Sequence, residues 1–444
     1  MFMEIKLSDR FSYKKLLRFT LPSIVMMIFS SIYGVVDGFF VSNFVGKTPF
    51  AAVNFIYPFI MVLGAFGFMF GTGGSALIAK TMGEGNKEKA NSLFSLFVYI
   101  STATGVVIGA LGFIFVGPVA KALGAEGELL ENCIIYGRII LAAMPAFMLQ
   151  FEFQSFFITA EKPQLGLVST VASGVTNMVL DALFIALFHW GLVGAALATA
   201  MSQVVGGVIP LIYFSCRNTS LLRLGKTEFD VKALLKACTN GSSELMGNIS
   251  MSLVSMLYNA QLMTYAGENG VAAYGVLMYV NMIFLSLFIG YSVGTAPIIG
   301  YHFGAQNHTE LKSLLKKSLV IIGISSVAML AMGEILAKPL SLIFVSYDRV
   351  LLDITLRGFA IYSFSFLFAG IAIFGSSFFT ALNDGLTSAI ISFLRTLVFQ
   401  IAAVIILPII WELDGIWASI VVAELMAMLM TVLFIISKKN KYHY

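Results

Sequence analysis

The sequence predicts an all-α integral membrane protein, with twelve transmembrane helices in two six-helix lobes related by a pseudo-twofold axis. Three observations predict it. Of 444 residues, 59% are hydrophobic and only 11% charged, with a mean hydropathy of +0.92. Soluble domains are about half apolar and a quarter charged, so this chain lacks the polar surface to face water. The apolar residues fall in long unbroken runs, and twelve spans of roughly 20 residues nearly exhaust them. Such runs exclude a β-barrel, whose strands alternate and run only about 10 residues. Finally, the two halves of the chain repeat each other at a fixed offset.

In chain order, the runs lie at 15–41, 50–80, 91–118, 133–160, 164–188 and 191–215, then at 233–264, 272–302, 312–338, 354–381, 385–410 and 415–437. The first follows Lys14-Lys15 and could be mistaken for a secretory signal. It lacks an A-x-A-like cleavage site and contains Asp37, so it reads as a retained membrane helix. The longest connection, polar and basic, divides the chain into an N-terminal lobe (1–215), a linker (216–232) and a C-terminal lobe (233–444). Other loops are too short for an extramembrane catalytic domain, and the expectation is of a non-enzyme. Cys133, Cys216 and Cys238 are too few for a disulfide framework or metal cage and read as packing residues. No metal or cofactor is expected.

With both termini on one side, that side holds 20 Lys and Arg, the opposite side holds six (Lys47, Lys121, Arg138, Lys338, Arg349, Arg357), and Arg395 lies within a span. The positive-inside rule therefore puts both termini in the cytoplasm. Dispersed over short loops, these cations also argue against nucleic-acid binding. Adding 221 to Gly46, Gly73, Gly83, Gly112, Gly137 and Gly194 gives Gly267, Gly294, Gly304, Gly333, Gly358 and Gly415. With 23 glycines in the first 222 residues and 17 in the rest, chance predicts about two such coincidences. Pro118 likewise meets Pro339, and Asn86 meets Asn307. Six spans return the chain to its starting side, so the repeat is parallel, with a substrate cavity expected between two bundles that rock.

Six carboxylates fall inside spans: Asp37, Glu152, Asp181, Glu244, Glu334 and Glu424. A charge at the bilayer centre costs at least ~2.5 kcal/mol, so each requires a partner, a wet cavity or a proton. Glu334 reads as reaching the interface. Glu244 is open between a gate or helix-end anchor and a substrate contact, and Glu152 between an anchor and the cavity lining. Glu424 and Arg395, on neighbouring helices, read as a structural ion pair. Asp37 lies fifteen residues after Pro22, a candidate hinge, and Asp181 follows Asn177 at i+4 on one helix face. Two acids in one lobe, away from bulk water, are the makings of a proton-binding site. V-S-N-F-V-G-K-T at 41–48 and G-T-G-G-S-A at 71–76 imitate nucleotide-binding loops. Without flanking strands, helix packing explains the glycines of 71–76 better.

Pro22 and Asp37, Val45-Gly46, N-M-V-L-D at 177–181, G-A-A-L-A-T at 194–199 and the Gly-rich ends at 82–86 and 303–307 together resemble the multidrug and toxic compound extrusion (MATE) transporters. The resemblance covers essentially the whole chain. It implies a secondary antiporter of the plasma membrane, exporting lipophilic or cationic small molecules in exchange for H⁺ or Na⁺ and working as a monomer in the bilayer. In the family's DinF-like branch, the helix 1 acid and the helix 5 Asn and Asp form a cation or proton site. A helix 4 tyrosine and a helix 6 threonine assist, which implies Asp37, Asn177, Asp181, Tyr136 and Thr199 here. The NorM-like branch adds acids deeper in helix 7 and in helix 10. Glu244 comes too early for the first and nothing matches the second, so the DinF-like arrangement is favoured. A flippase for a lipid-linked saccharide is the alternative; it would need a larger cationic cavity than the lone Arg395 provides.

Overall fold

The computed structural model describes residues 5–345 and 348–444, leaving aside the side chains of Lys47, Ser252, Ile343 and Phe344. Lys47, one of the six opposite-side cations, is thus outside the described side chains. In the first half of the chain, five described spans are single helices: span 1 (Tyr13–Val45), span 2 (Lys47–Gly83), span 3 (Lys87–Ala122), span 5 (Pro163–Leu187) and span 6 (Gly191–Ser215). Span 4 is two helices, Gly127–Ala142 and Met144–Thr159, bent by 58°. Val231–Gly304 reads as one helix but breaks at Gly267 (φ 61°, ψ −152°), giving spans 7 and 8. Span 9 is His308–Val345, and span 10 is the bent pair Arg349–Tyr362 and Ser365–Ala381 (50°). The last stretch, Gly385–Tyr442, breaks at Trp411 and Glu412 into spans 11 and 12. Among the described residues the count is twelve, as the apolar runs predict.

Helices overrun the runs where polar residues cap them. Ser12, Asn86, Asp230, Asp348 and Asp384 each accept a backbone N–H at the start of a span. Large apolar side chains such as Ile114, Val168, Ile335 and Ile409 remain exposed on the perimeter. That is the surface an acyl-chain solvent requires, with the backbone satisfied inside each helix.

The repeat extends beyond the glycines that reveal it. Gly46 (φ 118°) and Gly267 (φ 61°) both turn the chain in the left-handed region between successive spans. The bends of spans 4 and 10 fall at Ala143 and Phe364, also 221 apart. On the side that carries the termini, called here the terminal side, the lobes meet at paired positions. A Cβ on Gly83 would stand 2.0 Å from the Tyr301 carbonyl oxygen, and one on Gly304 2.0 Å from that of Lys80, the position equivalent to Tyr301. Spans 2 and 8 thus touch backbone to backbone across the pseudo-twofold axis.

Span 2 also meets span 7 where Gly73 approaches Ala237 and Gly241, and span 1 meets span 8 where Thr20 approaches Gly294. The segment before span 1 lies across this seam: Phe11 N donates to Glu310 Oε1 at 2.8 Å, and Lys317 Nζ donates to the Phe11 carbonyl. Asn383 Nδ2 donates to the Ala76 carbonyl at 3.2 Å. Nearer mid-span, the Ser31 and Ser286 hydroxyls join spans 1 and 8 at 2.5 Å. Further toward the far side, a Cβ on Gly34, Gly38 or Gly275 would meet open space. The described backbone contacts between the lobes thus gather on the terminal side.

Candidate functional site

Spans 1 and 5 bring the first acids together by the same local device. Each helix widens into a π-helical turn directly after or close behind its acid: Val41–Val45 follows Asp37 by one turn, and Ala182–Leu187 follows Asp181 at once. Such turns give up regular i→i−4 bonding and concentrate at functional positions. Val41 and Ile185 of these turns pack with Ala195 in a small apolar cluster. At Gly174 of span 5, a Cβ would stand 2.6 Å from the Phe29 ring and 3.0 Å from that of Tyr33. Glycine there lets span 1 close on span 5, one to two turns from the acids.

Asp37 comes within interaction range of Asp181, Asn177 and Thr199. Asp181 is 0% and Asn177 1% exposed. Asn177 Nδ2 donates to Thr199 Oγ1 at 3.5 Å, a long bond, and Thr199 Oγ1 donates to the Ala195 carbonyl at 3.1 Å. The approaches to the acids are close without being well-formed hydrogen bonds: Asp37 Oδ1, Asn177 Oδ1 and both Asp181 oxygens lack a partner of good geometry among the described residues. Tyr136 of span 4 is buried beside them, approaching Thr199 and within electrostatic reach of both acids. All five residues implied by the resemblance therefore converge. Chemically this is a pocket of oxygen acceptors short of donors, suited to a proton or a small cation.

Three further residues join this cluster that sequence reasoning missed. Tyr33 lies within reach of Asp37 and Gln150, and Tyr57 of span 2 within reach of Tyr33 and Asp37. Tyr57 is also 45% exposed, so the cluster is not wholly enclosed on the span 2 side. Gln150 Nε2 donates to Ser173 Oγ at 3.2 Å, and Ser173 Oγ to the Ser202 carbonyl at 2.7 Å. Tyr33 could have been found, because it precedes Asp37 by four residues and shares its helix face. Tyr57 and Gln150 carry no such local signal.

The C-terminal lobe holds a second polar cluster. Arg395, in the π-helical turn Leu394–Val398, donates from Nε to both Glu424 oxygens at 3.1 and 2.8 Å. The pair is enclosed, with side-chain exposures of 16% and 5%. Glu244 of span 7 also lies within electrostatic reach of Arg395. One guanidinium thus serves two carboxylates that sequence reasoning had kept apart. Tyr258 donates to Gln400 Oε1 at 2.9 Å and stacks on Tyr274 with ring centroids 5.4 Å apart.

The remaining candidates take varied places in the structure. Pro22 sits inside a continuous helix, next to the seam contact of Ser23 and Ile24 with Gly290. Glu152 is 0% exposed, so it neither lines the opening nor anchors a helix end. Glu334 is exposed on the perimeter. Cys133 is buried, but Cys216 is exposed, because the linker that carries it runs over the surface of span 3 rather than into a core.

The family model described as MatE matches residues 22–183 and again 245–406. Among curated proteins, the multidrug export protein MepA of Staphylococcus haemolyticus (strain JCSC1435) is 26% identical over 438 residues, covering 97% of this chain and 94% of that protein. A solved structure of MATE in complex with MaL6 superposes with a TM-score of 0.94 at 23% identity, covering 100% of both chains. Another, the outward-facing conformation of a multidrug resistance MATE family transporter of the MOP superfamily, gives 0.93 at 23% identity, covering 100% of this chain and 99% of that one.

Proposed function

The chain belongs to the MatE family, and from that premise we propose that it is a multidrug efflux antiporter exporting lipophilic or cationic small molecules against an inward flow of H⁺ or Na⁺. The observation that carries this reading is the family match over both halves of the chain. The convergence of Asp37, Asp181, Asn177, Thr199 and Tyr136 in one cluster of the N-terminal lobe supports it. We assign the lobes as 1–215 and 233–444, with 216–232 as the cytoplasmic linker, in a plasma-membrane monomer with both termini inside. The 20-to-six asymmetry of Lys and Arg supports this orientation.

In the far-side-open form, protons load at Asp37 and Asp181 from outside. Neutralising the acids removes their attraction for a cationic drug, which leaves. Span 1 then shifts about Pro22, which lacks one helical hydrogen bond and adjoins the seam with span 8. Each pH unit supplies about 1.4 kcal/mol per proton. Each charge moved down 100 mV adds about 2.3 kcal/mol. The flippase reading loses ground, because Arg395 is already committed to Glu424 and faces Glu244. The test is uptake of ethidium by purified protein in vesicles under a pH gradient, a sodium gradient, or none. Accumulation with either gradient supports antiport and names the ion; equal uptake in all three overturns it.

A further inference from the structure

Glu152 is used by nothing described so far. It sits on the second helix of span 4, seven residues and about 10 Å from that helix's terminal-side end. Asp181, by contrast, lies about 9 Å from the far-side end of span 5. Both Glu152 carboxyl oxygens are buried and without a hydrogen-bond partner among the described residues. Span 3 brings Ser101, itself 0% exposed and with an unpartnered hydroxyl, alongside the carboxyl. Span 2 presents Gly71, where a Cβ would stand only 2.9 Å from Glu152 Cα. Among the described residues, no charged or titratable side chain acts on it from any helix packed against it.

The stretch of span 2 that covers Glu152 is the stretch that forms the seam. Flanking Gly71, Met69 meets Gly241 of span 7, and Gly73 meets Ala237. Opening the terminal side withdraws span 7 from span 2 and so loosens the packing of span 2 on the backbone that carries Glu152. A carboxylate enclosed without a counter-charge is costly, so its proton occupancy follows the access of water. We propose that Glu152 is a second proton-carrying residue of the N-terminal lobe, protonated while the terminal-side seam is closed and giving its proton to terminal-side water when the seam opens. The proposal rests on the antiport reading, but its chemistry is a single proton exchanged with hydronium and can be read without transport.

The experiment is infrared difference spectroscopy between low and high pH on purified protein, paired with ethidium transport. In Glu152→Gln one protonated-carboxyl C=O band should vanish, while Asp37→Asn retains it. The pH profile of transport should also lose one titrating step. An unchanged set of bands and an unchanged profile in Glu152→Gln overturns the proposal. If that variant fails to fold, Ser101→Ala, which keeps the carboxyl, must shift the band and the midpoint of the profile; no shift overturns it equally. Wild-type vesicles that fail to accumulate ethidium would overturn the antiport reading alone, since the band is measured without a gradient.

Discussion

At the scale of single residues, Asp37 and Asp181 share one pocket of oxygens unpartnered among the described residues. Asp37→Asn is nearly isosteric and removes a buried charge, so the variant should fold yet lose gradient-driven export. Asp181→Asn should do the same, with the double variant little worse, as expected of groups acting as a unit. Vesicle uptake together with a melting curve checks this. Arg395 and Glu424 form an enclosed pair, and removing either partner strands the other at a cost of about 3–5 kcal/mol. Single variants Arg395→Met and Glu424→Gln should melt lower, and the double variant should recover much of the loss. Glu244 is the complication, since it also faces Arg395. Stable but inactive single variants would move the pair into the transport machinery.

Elements add what residues alone do not. The turn before span 11 is held by Asp384, whose Oδ2 accepts from Lys438 at 2.7 Å, Tyr442 at 2.7 Å and Thr387 at 2.8 Å. Burial opposes ionisation there, but the hydrogen bonds from Lys438, Tyr442 and Thr387 outweigh it and hold the carboxyl at about 2. A depressed carboxylate stabilises the fold above its unfolded value near 4 and loses that contribution as pH falls through the folded value. Asp384→Asn should therefore cost about 2 kcal/mol at neutral pH, with the gap to wild type closing between about pH 4 and 2. Melting curves across that range check it. At the seam, a side chain at Gly83 cannot coexist with the Tyr301 carbonyl. Gly83→Val should prise the terminal side open and speed thiol labelling of Cys238, the neighbour of the seam residue Ala237. Unchanged labelling and unchanged transport would count against the seam as the closing surface.

For the whole molecule, the charge asymmetry and the exposed Cys216 combine into a topology prediction. In intact cells, an impermeant thiol reagent should miss Cys216, and it should react once the membrane is opened. Labelling from outside would reverse the orientation. The two lobes are equivalent in backbone but not in chemistry: one holds an acid pair short of donors, the other an arginine between two carboxylates. The repeat thus duplicates the scaffold, and the ionisable groups were distributed over it independently.

Much of this was legible before any tertiary contact was known. Unbroken apolar runs set the number of spans, because a bilayer admits only helices with their bonds satisfied internally. The recurrence of Gly46 as Gly267 and Gly83 as Gly304 exposed the repeat, because turns and close backbone approaches tolerate little else. Asn177 and Asp181 could be paired at sight, being one helical turn apart. Contacts between spans could not be read this way. The approach of Tyr57 to Asp37 and of Gln150 to Tyr33, the isolation of Glu152 and the closure of the terminal-side seam each depend on which faces of distant helices meet. Local periodicity says only which face is apolar, and nearly every face here is, so only the tertiary packing decides which faces bury against protein and which against lipid.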